Sequence, residues 1–78
     1  MTETVQQYRH LGHEVLIHKD QYREASRWCR LQFGLRWEAI DYRSGVWSVF
    51  WAGRDNPAMY SFCFAHEQDL LLFVLRWA

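Results

Sequence analysis

Hydrophobic and polar positions along this chain follow two different periods, and each change of period marks a new element. Residues 13–18 contain three consecutive aliphatic side chains in a β-prone run, which predicts a first strand. Residues 20–33 then show helical spacing, with Asp20 placed to cap the helix and Gly34 to end it. Four apolar residues form the narrow stripe of this predicted helix: Tyr22, Ala25, Cys29 and Phe33.

Three segments rich in aromatic and β-branched residues follow, and turn residues separate them. They cover residues 37–42, 46–52 and 59–65, which we predict to be antiparallel strands. In the first hairpin loop, Gly45 is expected to supply a positive φ. The last segment, residues 67–78, opens with acidic side chains and continues with leucines, which predicts a helix, with a buried strand as the alternative.

The predicted order β-α-β-β-β-α belongs to the α+β class: a small antiparallel sheet of three to four strands with two packed helices. The length of 78 residues fits a single domain, 1–78, in which we expect residues 1–12 to form an irregular N-terminal segment. Half of the residues are hydrophobic and five are Trp, so the chain can build a core without disulfides or metal.

Both faces of the predicted sheet are apolar. In the strand 46–52, Trp47 and Trp51 share one face while Val46 and Phe50 share the other. If both helices cover one face, the opposite face needs a second copy or a partner. Alternatively, a helix and the N-terminal segment cover opposite faces, and the aromatic residues are ordinary core.

The predicted C-terminal helix is apolar almost all round, since Leu71, Leu72 and Leu75 lie outside the stripe that contains Phe73. A helix of this kind is normally buried on two sides, which a chain of this length can rarely arrange alone. The sequence therefore predicts a homo-oligomer that associates through this helix or through an uncovered sheet face.

The first helix carries a second candidate surface, where Trp28 and Leu31 project away from the core stripe beside Arg27. Trp and Arg dominate the energetics of protein interfaces, so these three residues are the predicted contacts to a protein partner. In the alternative interpretation, the N-terminal segment covers Trp28 and an exposed Leu31 has no function.

Charge limits the classes of partner. Nine basic and nine acidic residues give a net charge of zero, which disfavours nucleic acid as a partner. Arg23, Arg27 and Arg30 line one helical flank, where Glu24 is expected to pair with them. A single-stranded nucleic-acid binder that uses exposed sheet aromatics and arginine stays the alternative function.

No motif supports catalysis or cofactor binding. Cys63, His66 and Asp69 are spaced three apart, but Cys63 lies in an apolar run that does not suit a nucleophile. Three histidines, His10, His13 and His18, could join a cysteine in binding zinc, but no C-x-x-C or H-x(3–5)-H unit has a matching second half. We expect no enzymatic activity, no metal, no cofactor, and two reduced cysteines.

The C-terminal end Asp69-Leu-Leu-Leu-Phe73-Val-Leu75-Arg76-Trp77, preceded by the aromatic run Tyr60-Ser-Phe-Cys-Phe64, resembles that of various small uncharacterised proteins of tailed phages. The resemblance implies an accessory protein that binds a host or phage protein, and it implies no site residues. No apolar run is long enough to span a membrane, so we expect a cytoplasmic protein, in the host cytoplasm if a phage encodes it.

Overall fold

The computed structural model describes residues 10–38 and 44–78, and within them the fold is the predicted α+β arrangement. A short 3-10 turn at Lys19–Gln21 connects the first strand to the first helix. The strands and helices are β1 (His13–His18), α1 (Tyr22–Phe33), β2 (Trp47–Trp51), β3 (Met59–Phe64) and α2 (Glu67–Trp77). The C-terminal segment is therefore a helix, as predicted, and the strand alternative is wrong.

The sheet has three strands in the order β1-β3-β2, and β3 lies in the centre, antiparallel to both neighbours. Phe62 is the middle of the sheet, since it faces Val15 on β1 and Val49 on β2. Side chains alternate along each strand, so this register collects the aromatic residues of β2 and β3 other than Phe50 on one face. The opposite face carries Phe50 together with the smaller side chains of Ser48, Ser61 and Cys63.

Helix α1 begins later than expected. The backbone N–H of Asp20 donates to the His18 ring at 3.1 Å inside the 3-10 turn, and Gln21 precedes the first helical residue. The prediction that Asp20 caps α1 is therefore wrong, because His18 caps the 3-10 turn instead. Gly34 ends the helix as predicted: its φ is +93° and its N–H donates to the carbonyl of Arg30.

Both helices pack on the aromatic face of the sheet. Phe62 and Phe64 on β3 meet Phe73 of α2 with ring centroids 4.9 and 5.2 Å apart, and α1 adds Ala25 and Cys29 to the same core. All five side chains are completely buried. This settles which face the helices cover, which the sequence left open.

A second, smaller cluster covers part of the opposite face. Leu11, before β1, and Trp37, before β2, bury Cys63 between them, and Phe50 packs at the side. The backbone N–H of Trp37 donates to the carbonyl of Trp47 at 2.8 Å, which holds this segment beside β2. Short stretches of irregular chain therefore cover this end of the sheet.

Most of the predicted strand 37–42, namely residues 39–42, lies outside the described residues. In the loop that follows, the expectation of a positive φ at Gly45 is wrong, because φ is positive at Gly34 and Gly53 among the described glycines. A Cβ at position 45 would lie 2.6 Å from the backbone nitrogen of Trp37. Gly45 therefore provides room for the close approach of two backbone segments.

Candidate interaction surface

Trp28 lies between the two helices. It is half-buried, with its ring at 5.8 Å from Phe33 in an edge-to-face arrangement and at 6.0 Å from Phe73. The expectation that Trp28 projects away from the core is therefore wrong. Trp28 lies on the side of α1 that faces α2. The apolar stripe of α1 does not show where a second helix packs.

Arg27 and Leu31 do lie on the outer side of α1. Leu31 is 77% exposed, and Arg27 is also exposed. They are four residues apart on adjacent turns of the helix, so their side chains are neighbours. Of the three predicted partner contacts, these two are exposed and Trp28 is half-buried.

The structure divides the apolar surface of α2 into two sides. Phe73 is completely buried, and Leu70 and Trp77 are packed against the core. The opposite side consists of Leu71, Leu72 and Leu75, whose side chains are 54, 45 and 85% exposed. We call these three residues the leucine face. Their spacings of three and four residues make them contiguous on the helix surface.

The sheet offers a smaller apolar surface. Leu16 on β1 is 41% exposed and Trp51 on β2 is 54% exposed, but they point to opposite faces of the sheet. The indole N–H of Trp51 donates to the carbonyl of Pro57, which fixes the ring against the following turn. These exposed residues therefore do not join into one patch, in contrast to the leucine face.

The aromatic platform that a single-stranded nucleic-acid binder needs is covered. Trp47, Phe62 and Phe64 are 2% exposed or less, because both helices lie on them. Tyr60 is stacked on Tyr22 of α1 with ring centroids 4.3 Å apart. Among the described residues, Trp51 is the large sheet aromatic that remains mostly exposed.

The hydrogen-bond contacts of the Cys63 thiol include neither His66 nor Asp69, which a nucleophile would require. Its thiol contacts the hydroxyl of Ser61 at 3.6 Å and a carboxylate oxygen of Glu14 at 3.9 Å. Burial raises the pKa of the Cys63 thiol; the Ser61 hydrogen bond opposes part of this rise, and the Glu14 carboxylate adds to it. The thiol is therefore held in its protonated, weakly nucleophilic form.

The candidate metal ligands are also apart. The ring of His10 lies 3.0 Å from the carbonyl of Gly45, and the ring of His18 accepts from Asp20. Within residues 10–38 and 44–78, no three His, Cys, Asp or Glu side chains lie close enough together to hold a metal ion. No helix in this part of the chain is long and apolar enough to cross a membrane.

The ion pairs expected along α1 are not formed. The described part of the chain contains His18–Asp20 at 3.4 Å and Arg36–Glu38 at 3.0 Å, and neither involves Glu24. The arginines of α1 are therefore unpaired with carboxylates in this region. The prediction that Glu24 pairs with the arginines of α1 is therefore wrong.

Comparison with protein-family models, with curated proteins and with solved structures gives no significant match to this chain.

Proposed function

We propose that the chain is a non-enzymatic protein-interaction module that forms a homodimer through the leucine face and binds a protein partner through the outer side of α1. The observation that carries the proposal is the exposure of Leu71, Leu72 and Leu75, while Phe73 on the opposite side of the same helix fills the core. Three contiguous exposed leucines on an ordered helix are typical of a surface that another chain covers.

A second copy is a suitable occupant of this surface. Two α2 helices packed face to face around a two-fold axis would bury six leucines, each contributing roughly 1.5–3 kcal/mol at full burial. Antiparallel packing also brings the acidic start of one helix, with Glu67 and Asp69, towards Arg76 at the end of the other. The cost of association offsets much of this gain, so we expect a dimer of moderate, micromolar affinity.

Sedimentation equilibrium tests the dimer. We expect the wild-type chain to shift from monomer to dimer as its concentration rises through the micromolar range. Leu75→Glu should hold it as a monomer, because the substitution places two unpaired charges in the interface. Leu31→Glu is the matched control, since it makes the same change at an exposed leucine of α1 and should leave the dimer intact. A wild-type monomer at several hundred micromolar would contradict self-association.

The outer side of α1 is the proposed contact for a different protein. Leu31 and Arg27 are exposed neighbours there, and the half-buried Trp28 follows Arg27 in the helix. An apolar side chain, a guanidinium and an indole together have the composition of an interface hot spot. The resemblance to small proteins of tailed phages supports a host or phage protein as this partner and the cytoplasm as the location.

Affinity capture from a bacterial host lysate tests the partner contact. The wild-type chain should recover a stoichiometric protein, and Arg27→Glu or Leu31→Glu should reduce that recovery at least about tenfold. Gln32→Glu on the same helix is the control and should recover the protein normally. Trp28→Ala is a poor test, because it would also remove core contacts to Phe33 and Phe73. Equal recovery by all variants would exclude this surface.

A further inference from the structure

A groove of about 600 Å³ lies between the second half of α1, the segment that follows it, and the start of β2. Three arginines surround the groove: Arg27 and Arg30 from α1, and Arg36 from the following segment. Trp47 and Leu35 provide apolar lining. The leucine face is not part of it, since α2 contributes no residue to its lining.

The arginines leave the groove with a surplus of positive charge. Arg36 is paired with Glu38 at 3.0 Å, and among residues 10–38 and 44–78 Glu38 is the carboxylate that lines the groove. Neither Arg27 nor Arg30 has a carboxylate partner within the described residues. Guanidinium groups bind phosphate and carboxylate in a planar, bidentate geometry, so two unpaired arginines at one groove favour an oxyanion ligand.

An unsatisfied hydroxyl lies at the same place. Ser26 lines the groove, and its Oγ is buried without a hydrogen-bond partner in the described part of the chain. Leaving a buried polar group unpaired is unfavourable, and such groups commonly accept or donate to a ligand or water. Because this oxygen has almost no accessible surface, a ligand oxygen among the arginines can accept its hydrogen bond only after the Ser26 side chain turns to a rotamer that faces the groove.

The apolar wall of the groove is rigid. Trp47 is almost completely buried, and its indole N–H donates to the carbonyl of Gly34 at 2.8 Å, which ties the wall to the end of α1. Leu35 at the rim is half exposed. Binding pockets for small molecules combine an apolar lining with a few convergent polar groups, as this groove does.

From this geometry we infer that the groove binds a small amphiphilic anion, with an aromatic or aliphatic body and a single phosphate or carboxylate group. The anion would lie between Arg27 and Arg30, and the apolar body would lie against the exposed Leu35, beside the almost completely buried Trp47. A cationic groove on a chain of zero net charge suits a single anionic group better than a polynucleotide. The inference does not depend on dimerisation through α2.

Titration with phenyl phosphate, followed by NMR of the ¹⁵N-labelled full chain, tests this inference. We expect saturable shifts of the Trp47 indole N–H and of the Ser26 and Arg30 amides. Phenol lacks the anion and inorganic phosphate lacks the apolar body, so each should bind at least about tenfold more weakly. Benzoate serves to distinguish the two anionic groups: binding equal to that of phenyl phosphate assigns the groove to carboxylates as well, and weaker binding assigns it to phosphates.

Arg30→Gln should weaken phenyl phosphate binding about tenfold, and Arg27→Gln should have a similar effect. Arg23→Gln is the matched control, because Arg23 is exposed on the same helix and does not line the groove. The inference is wrong if phenyl phosphate gives no saturable shift at millimolar concentration, or if Arg23→Gln weakens binding as much as Arg30→Gln. Leu75→Glu should leave binding unchanged, which separates this result from that of the dimer test.

Discussion

Gly45 and Cys29 occupy positions at which the surrounding packing limits the choice of residue. Gly45 is a glycine because a Cβ would meet backbone atoms of Trp37 at 2.6 and 2.7 Å, and backbone cannot move aside as a flexible side chain can. Cys29 is completely buried, and burial raises the pKa of its thiol from 9.0 to about 12. Both residues are small because the neighbouring elements come very close.

The raised pKa of Cys29 predicts how stability depends on pH. In the unfolded chain the thiol ionises near its ordinary pKa, whereas in the folded chain it stays protonated until pH about 12. Between these two pKa values the thiol ionises only in the unfolded state, which lowers the free energy of that state. The free energy of unfolding should therefore fall as pH rises above 9. The expected slope is about 1 kcal/mol per pH unit from this group.

Urea unfolding followed by circular dichroism at pH 8, 9 and 10 measures this slope. Cys29→Ala removes the titrating group, so its stability, although lower at every pH, should decrease less steeply over the same interval. The explanation fails if the wild-type chain and Cys29→Ala lose stability in parallel, because other groups would then account for the whole dependence.

At the scale of elements, α2 has two roles that its two sides keep separate. The inner side places Phe73 against the aromatic rings of β3 and α1, and the outer side presents the leucine face. Arg76 lies over the ring of Trp77 at 4.4 Å and covers the end of the helix. The sequence of α2 is apolar almost all round, but within one chain only the side that carries Phe73 is buried.

This division predicts that two substitutions on the same helix change the free energy of unfolding by very different amounts. Phe73→Ala should lower the free energy of unfolding by about 3–5 kcal/mol, because it opens a cavity between β3 and both helices. Leu75→Ala should change the stability of the monomer by less than about 0.5 kcal/mol, since the side chain is 85% exposed.

Chemical unfolding at a concentration low enough to keep the chain monomeric gives both values, and sedimentation at high concentration should show weaker dimerisation for Leu75→Ala. If Leu75→Ala destabilised the monomer as much as Phe73→Ala, the leucine face would have to be covered within one chain.

At the scale of the whole molecule, neutral charge and apolar contacts determine how the chain meets other molecules. Nine cations balance nine anions, so long-range attraction to polyanions is weak. The aromatic face of the sheet is used internally by both helices. Association is therefore expected to depend on apolar area rather than on phosphate contacts.

Salt dependence distinguishes these two modes of association. Raising NaCl from 50 to 500 mM should leave the dimer constant within about threefold, because apolar burial is insensitive to screening. In parallel, a fluorescently labelled single-stranded oligonucleotide should show no saturable binding at 50 mM NaCl. Tight oligonucleotide binding that disappears at the higher salt concentration would favour the nucleic-acid alternative instead.

Local pattern was enough to predict most of the elements. The alternation of β2 and β3 and the stripe of α1 depend on the residue period alone, so the strands and helices occur where these patterns place them. Gly34 could be identified as the end of α1 because positive φ is a local property of glycine. The exposed leucines of α2 could also be proposed from the sequence, since Leu70 and Phe73 already provide one apolar side.

The positions of the helices and segments relative to one another depend on tertiary packing, and no local sequence pattern contains them. Only the structure shows that α2 lies beside Trp28, because the period of α1 does not say which flank a neighbouring helix takes. The same holds for the room at Gly45 and for the groove, in which Trp47 of β2 lies beside the arginines of α1 and of the segment that follows it. The sequence by itself determined the elements and their apolar sides, and packing alone determined which of those sides stay exposed, since that depends on where the neighbours lie.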